Sequence, residues 1–347
     1  MFRGRDPVWT LALPHDVVGG VCVTGGRVIV GVRDPADGAD VWLAVDAATG
    51  QPRWSVRDEA PAGFDYGNSP RATPAVAGGV AVTLGATGVM SGIDVETGVT
   101  LWQRRLTDTF GVPAPTWGFS ATPLIIGEQI VAPVADQPTV VSLDLYTGRL
   151  RWRASGPPAT YASPVAAGDG ATFYGVDAVG YHRRRIDDGT LVWSAERPIE
   201  GDFGVPSPVV LDGGVVFVGE NNGLMGLRDG RLRELDDELI PDAHTPVPID
   251  DHVIVAHDGL HRIDSVTGEK VWSTADDWVT GYASVIASPD RALVVTEDAV
   301  AGLFDVGDGR ELGRVSLSEQ STRLLSHPAI SGGRLYIVVG REMRCYE

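Results

Sequence analysis

Lysine is all but missing from this chain. Lys270 is the only one, and arginine supplies the rest of the 28 basic residues. Against 46 Asp and Glu the formal net charge is −18. Such a field repels phosphate backbones and anionic headgroups, which excludes nucleic acid and membrane surfaces as expected partners. Cysteine is scarce as well. Cys22 and Cys345 form no vicinal pair and no metal-ligand spacing, so a disulfide framework is not expected and free thiols fit a reducing compartment. No stretch reaches 18 uninterrupted apolar residues, and residues 1–16 carry no apolar leader core. Together these absences give the expectation of a cytoplasmic monomer.

Glycine and proline, in contrast, are plentiful: 44 and 23 in 347 residues. The glycines recur at regular spacings, which points to many short strands joined by tight turns. One unit returns down the chain: Asp, two variable residues, Thr-Gly, three more, then Trp. It reads DAATGQPRW (46–54), DVETGVTLW (94–102), DLYTGRLRW (144–152) and DSVTGEKVW (264–272). RIDDGTLVW (185–193), RDGRLRE (228–234) and DVGDGRELG (305–313) are weaker copies, the second with a shorter turn. The Asp carboxylate can cap backbone N–H groups of the turn, and the glycine supplies its positive φ. The Trp then opens an outgoing strand as a flat packing wedge. Glu234 and Gly313 stand where two of the copies lose it.

A second element precedes each turn. Ser or Thr, then Pro, leads an apolar hairpin, as in TPAVAGGVAVTL (73–84) and SPVVLDGGVVFV (207–218). Pro suits a strand start because it cannot donate to a ladder. First strands are placed at Gly20, Pro74, Pro123, Pro164, Pro208, Pro246, Val285 and Pro328. Eight starts against seven turns leave one fourth strand to be supplied by RDPVWTLAL (5–13), carrying Trp9. The expectation is an all-β fold: an eight-bladed β-propeller of four-stranded antiparallel blades. It forms a single domain over 1–347, closed by the N-terminal strand pairing with the C-terminal blade. That blade is shared between residues 1–13 and about 320–347.

The Ser/Thr-Pro start and the Asp-x-x-Thr-Gly-x-x-x-Trp turn resemble the PQQ-like repeats of the quinoprotein alcohol dehydrogenase-like propeller superfamily, along essentially the whole chain. No strand ends in Trp-Asp, which separates it from WD40 blades. The resemblance implies a fold whose members include quinoprotein dehydrogenases, outer-membrane assembly lipoproteins and sensor or accessory domains. The dehydrogenases are longer, hold Ca²⁺ with the quinone and typically carry a vicinal disulfide over the cofactor. This chain has no vicinal pair, so no cofactor is expected. The assembly-lipoprotein branch is set aside on the lack of a leader and of a lipid-attachment cysteine.

The resemblance also places ligands at one mouth of the propeller channel, among loops joining the fourth strand of a blade to the first of the next. These are the long, aromatic segments 59–74, 107–123, 156–164, 197–208 and 276–284. Asp65, Tyr66, Asn68, Arg71, Trp117, Phe119, Tyr161, Phe203, His244, Tyr282 and Arg323 are the candidate ligand-binding residues. His244, His327, Arg71, Tyr161 and Asp202 are the candidates for acid–base chemistry if the protein is an enzyme. His15-Asp16 is a weaker pair in the equivalent loop of the first blade. Glu220, Asp258 and Glu297 align at the ends of second strands and are read as exposed acids, so no metal is expected. The first functional expectation is a ligand-sensing or protein-interaction module with a protein or small-molecule partner at the mouth. The alternative is a small-molecule lyase, cyclase or isomerase of a specialised pathway.

Overall fold

The computed structural model describes residues 6–65, 67–135, 137–198, 204–219, 222–241, 243–280, 282–319 and 323–347. The described residues build eight four-stranded antiparallel sheets, the blades of an all-β eight-bladed propeller. Seven blades run consecutively along the chain: 22–59, 75–105, 124–154, 165–196, 209–236, 247–273 and 284–316. In the eighth, Ala329–Ser331, Arg334–Val339 and Glu342–Tyr346 are joined by the N-terminal strand Trp9–Ala12, with Trp9 opposite Cys345.

The blades fall into two compact units, Thr160–Arg323 and Phe2–Ala159 with Leu324–Glu347. The first unit holds blades 4 to 7 and the second holds blades 8, 1, 2 and 3. Within each unit the second strands are almost wholly buried, as in Val80–Leu84, and in blade 2 the third strand Val89–Asp94 is too. A sheet covered on both faces needs continuous apolar strands rather than alternation. The core of each unit is accordingly divided into apolar clusters between successive blades, such as that joining Val82, Leu84 and Trp102 to Ile130 and Leu143.

The repeated turn works as a lock. Asp46 Oδ1 accepts from the Ala48 and Thr49 N–H groups and from the Thr49 hydroxyl, at 2.9–3.0 Å. Asp94, Asp144 and Asp264 repeat the pattern. These bonds favour the ionised form, and with Arg53 they hold the Asp46 carboxyl down at about 2. In four of the turns the glycine lies beneath the Trp of the preceding blade. A Cβ added to Gly50, Gly98, Gly148 or Gly309 would come 2.6 Å from Trp9, Trp54, Trp102 or Trp272. The same four indoles donate to the carbonyls of Ala47, Val95, Leu145 and Val306 at 2.8–3.1 Å.

The Ser or Thr before each proline also has a specific task. The Thr73 N–H donates to Thr122 Oγ1 at 3.1 Å, Ser163 N–H to Ser207 Oγ at 2.9 Å and Ser207 N–H to Thr245 Oγ1 at 3.0 Å. Blades 2, 4 and 5 are thus each stitched to the next at the head of the first strand.

Two registers differ from the sequence reading by one residue. The strand Cys22–Thr24 aligns with Ala75–Ala77, so Gly20 corresponds to Thr73 and not to Pro74. It must be glycine, because a Cβ there would fall 2.3 Å from Thr73 Oγ1. In blade 5 the shortened turn Asp229–Gly230 shifts the outgoing strand. Glu234 faces solvent, and the adjacent Leu235 packs over Gly226 and brings its carbonyl against Gly268.

Candidate functional site

The longest hairpin of the fold belongs to blade 1, Arg27–Arg33 with Ala39–Asp46, and its extra length carries a polar cluster into the root of the loop 59–74. Arg33, fully buried, donates from Nε to Asp37 Oδ1 at 2.8 Å and from Nη1 to Asp40 Oδ1 at 2.7 Å. Its Nη2 donates to the Asp37 and Ala60 carbonyls at 2.6 and 2.9 Å. Asn68 continues the chain of contacts: its Nδ2 donates to Asp37 Oδ2 at 2.6 Å and its Oδ1 accepts from Phe64 N–H at 3.0 Å. A guanidinium is suited to this because its planar fork serves several acceptors at once.

Next to it lies Asp58, also buried, which accepts from Trp42 Nε1 at 3.1 Å, Ser91 Oγ at 3.2 Å and Gln103 Nε2 at 2.6 Å. Burial pushes the Asp40 carboxyl up to about 6 against the pull of Arg33, with the Asp58 charge adding to the rise. Burial likewise raises Asp58 above the usual carboxylate range. For Asp37 burial is outweighed by the bonds from Arg33 and Asn68, and its carboxyl is held below that range. Asp40 Oδ2 makes no hydrogen bond and lies 1.9 Å from the position a Gly85 Cβ would take, so only glycine fits there.

The other candidates in this unit gather on the same two loops. Arg71 donates to the Ser69 and Gly67 carbonyls at 3.1 and 2.9 Å, and its guanidinium lies 5.3 Å from the Phe64 ring. Phe119 is buried with its ring over Gly88, Trp117 is half-buried, and Asp65 is exposed at a turn. His327 heads the first strand of blade 8, its carbonyl accepting from Val21 N–H at 3.0 Å, and the protein packed around its imidazole holds the ring below the usual histidine range. Asp16 of the weaker pair bonds Arg341 at 3.1 Å.

In the other unit, Tyr161 is half-buried and its N–H donates to the Gly204 carbonyl at 2.9 Å. His244 is buried, with Nε2 3.5 Å from the Ile254 carbonyl. Tyr282 is exposed, and Arg323 pairs with Glu297 at 2.9 Å. Tyr66, Asp202, Phe203 and Glu220 lie outside the described residues. Among the described residues no three His, Cys, Asp or Glu come together as a metal site would require.

Arg33, Asp37, Asp40, Asp58 and Gln103 escaped the sequence reading. The available signal was the charged pair Arg33-Asp34 breaking an apolar run and the Asp40 that restarts it.

The profile of the family described as "Outer membrane protein assembly factor BamB" matches residues 4–114 and 112–236. The chain belongs to that family. Outer membrane protein assembly factor BamB of Moranella endobia (strain PCIT) is 32% identical over 111 residues, 31% of this chain and 28% of that protein's length. BamB from Moraxella catarrhalis has the same fold: TM-score 0.75, 19% identity, 99% of this chain and 97% of the other. The quinohemoprotein alcohol dehydrogenase ADHIIG from Pseudomonas putida HK5 aligns at TM-score 0.71 and 12% identity, over 96% of this chain and 71% of the other.

Membership of an outer-membrane assembly family overturns the cytoplasmic expectation, and with it the setting aside of that branch. The thiols were a poor guide to compartment. Burial pushes the Cys22 thiol up to about 11 and raises that of Cys345, which is fully buried. Cys345 lies in the core and Cys22 packs half-buried against it, and thiols of that kind carry no information on redox surroundings.

Proposed function

We infer that this BamB-family propeller is a protein-interaction scaffold for outer-membrane protein assembly, and that the loops 59–74 and 107–123 form a docking surface for its partner. The buried Arg33 clamp carries the reading. Removing the Arg33 guanidinium and the Asp40 carboxylate from water is costly, and an apolar core would stabilise the hairpin at least as well. What the charged cluster supplies is shape: Ala60, Phe64 and Asn68 are each fixed by it at a stated bond. A loop fixed from beneath presents its exposed residues, Asp65 among them, without an ordering cost on binding.

Site-specific photocrosslinking in the native cell envelope tests this. A photoreactive residue at Asp65 or Asp108 should crosslink to a component of the outer-membrane assembly apparatus, and Asn68→Ala should weaken the crosslink while leaving the fold intact. A crosslink of equal yield from the turn residues Thr49 and Thr97, or from none of the four, would refute the assignment of the surface.

A further inference from the structure

Between blades 4 and 5 the Trp of the lock is present and its turn is not. Trp193 occupies the usual register, yet blade 5 lacks the Asp-x-x-Thr-Gly loop and turns through Asp229 and Gly230 alone. None of the described glycine contacts falls on its ring. Trp193 stacks on Phe217 at a centroid distance of 6.2 Å and an interplanar angle of 19°. Its Nε1 has no hydrogen-bond partner among the described residues, whereas Trp9, Trp54, Trp102 and Trp272 each donate to a turn carbonyl. A cleft of about 500 Å³ opens there, lined by Trp193, Tyr174, Arg183, Leu227 and the hairpin Leu211–Gly214.

The lining defines what would fill it. Trp193 offers a flat face and a single N–H donor. Arg183 lies over Tyr174 at 5.3 Å and donates from Nε to Thr172 and from Nη2 to Asp169, which leaves Nη1 unengaged. The complement is a small residue against the ring, a carbonyl for the indole and a carboxylate for the guanidinium. Those three features occur together in the chain's own Asp-x-x-Thr-Gly turns, where glycine, carbonyl and carboxylate sit within five residues.

We propose that this cleft is a second docking site, independent of the loops 59–74 and 107–123, and that it takes an exposed acidic Thr-Gly turn of a partner protein. The turn lays its glycine on Trp193, presents a backbone carbonyl to Nε1 and directs its carboxylate to Arg183 Nη1. The volume suits a short segment of a few residues.

The probe is a cyclised peptide carrying Asp-Val-Glu-Thr-Gly-Val, copied from 94–99, titrated into the whole protein with ¹⁵N-labelled tryptophan. One indole resonance, the one missing from Trp193→Phe, should shift saturably, and a peptide with Val for Gly should bind about tenfold more weakly or worse. A second variant guards against a peptide too flexible to bind. Replacing Arg228–Gly230 by Asp-Val-Glu-Thr-Gly should fill the cleft from within, shift the Trp193 indole in the same direction, raise the melting temperature and abolish peptide binding. No saturable shift in the parent protein together with an unmoved Trp193 indole in the graft overturns the proposal. So does a peptide-induced shift that persists in the graft.

Discussion

Gly148→Ala isolates the lock between blades 2 and 3. Gly148 has φ 62°, a conformation that costs an L-residue about 1–2 kcal/mol whatever surrounds it. Its Cβ would also lie 2.6 Å from the Trp102 ring, an overlap the buried indole can relieve only by moving off Leu145. Overpacking of that kind costs a further 1–3 kcal/mol or so, for a total of about 2–5 kcal/mol. Gly230→Ala is the control: φ is 74°, but nothing lies within 4 Å of its Cβ, so only the backbone cost of about 1–2 kcal/mol applies. Urea denaturation followed by far-ultraviolet circular dichroism gives the two losses. In a Trp102→Leu background the ring overlap disappears, and the Gly148→Ala cost should fall to the control value, a coupling of about 1–3 kcal/mol. Equal losses at 148 and 230, or no relief on removing Trp102, would refute the lock.

Further outcomes follow from the same contacts. Arg33→Met should destabilise by about 3–5 kcal/mol, because it strands Asp40 in the core, and Asp40→Asn added to it should recover part of that loss in the same urea assay. Thr245→Val removes the acceptor for Ser207 N–H and should cost about 1–3 kcal/mol, whereas Thr267→Val, on an exposed turn, should cost less. Acid should act in two opposed ways. The turn carboxylates Asp46, Asp94, Asp144 and Asp264 are held below their ordinary values, so their contribution is present above about pH 4 and is lost as pH falls, through about 2 for Asp46. Asp40 is raised to about 6, so its contribution is present below about pH 4 and lost as pH rises through 6. Asp40→Asn should therefore flatten the urea midpoint between pH 4 and 6 and leave the acid limb unchanged. An unaltered slope over that interval would rule out the raised carboxyl.

The blades were legible because each turn solves its own problem locally. Asp46 caps residues two and three positions on, and Gly50 reverses the chain beside it, so the arrangement is written in consecutive residues and repeats with them. Register was lost where a turn changed length. Two residues at Asp229–Gly230 replace the longer loop of the other blades, and counting from the repeat then lands on Glu234 when Leu235 is the packed side chain. The Arg33 cluster had no such local signature. Its bonds reach Ala60 and Asn68 across the hairpin and the following loop, far from one another in sequence.

Period detects only what every blade shares, and what every blade shares is packing. The two features argued to meet other proteins are both departures from it. Blade 1 has gained hairpin length, and with it a buried guanidinium that fixes a loop. Blade 5 has lost turn length, and with it the cover of one tryptophan. In a repeat fold whose units touch only their neighbours, a gain or a loss of a few residues acts on its own junction. Restoring the cover of Trp193 should therefore strengthen the 4–5 junction alone. Amide exchange would show it: protection should rise in strands Leu191–Glu196 and Gly223–Arg228 and stay constant in Val89–Asp94. A rise shared by all three strands would mean that the junctions are coupled, and that the departures from the repeat were constrained by the whole fold.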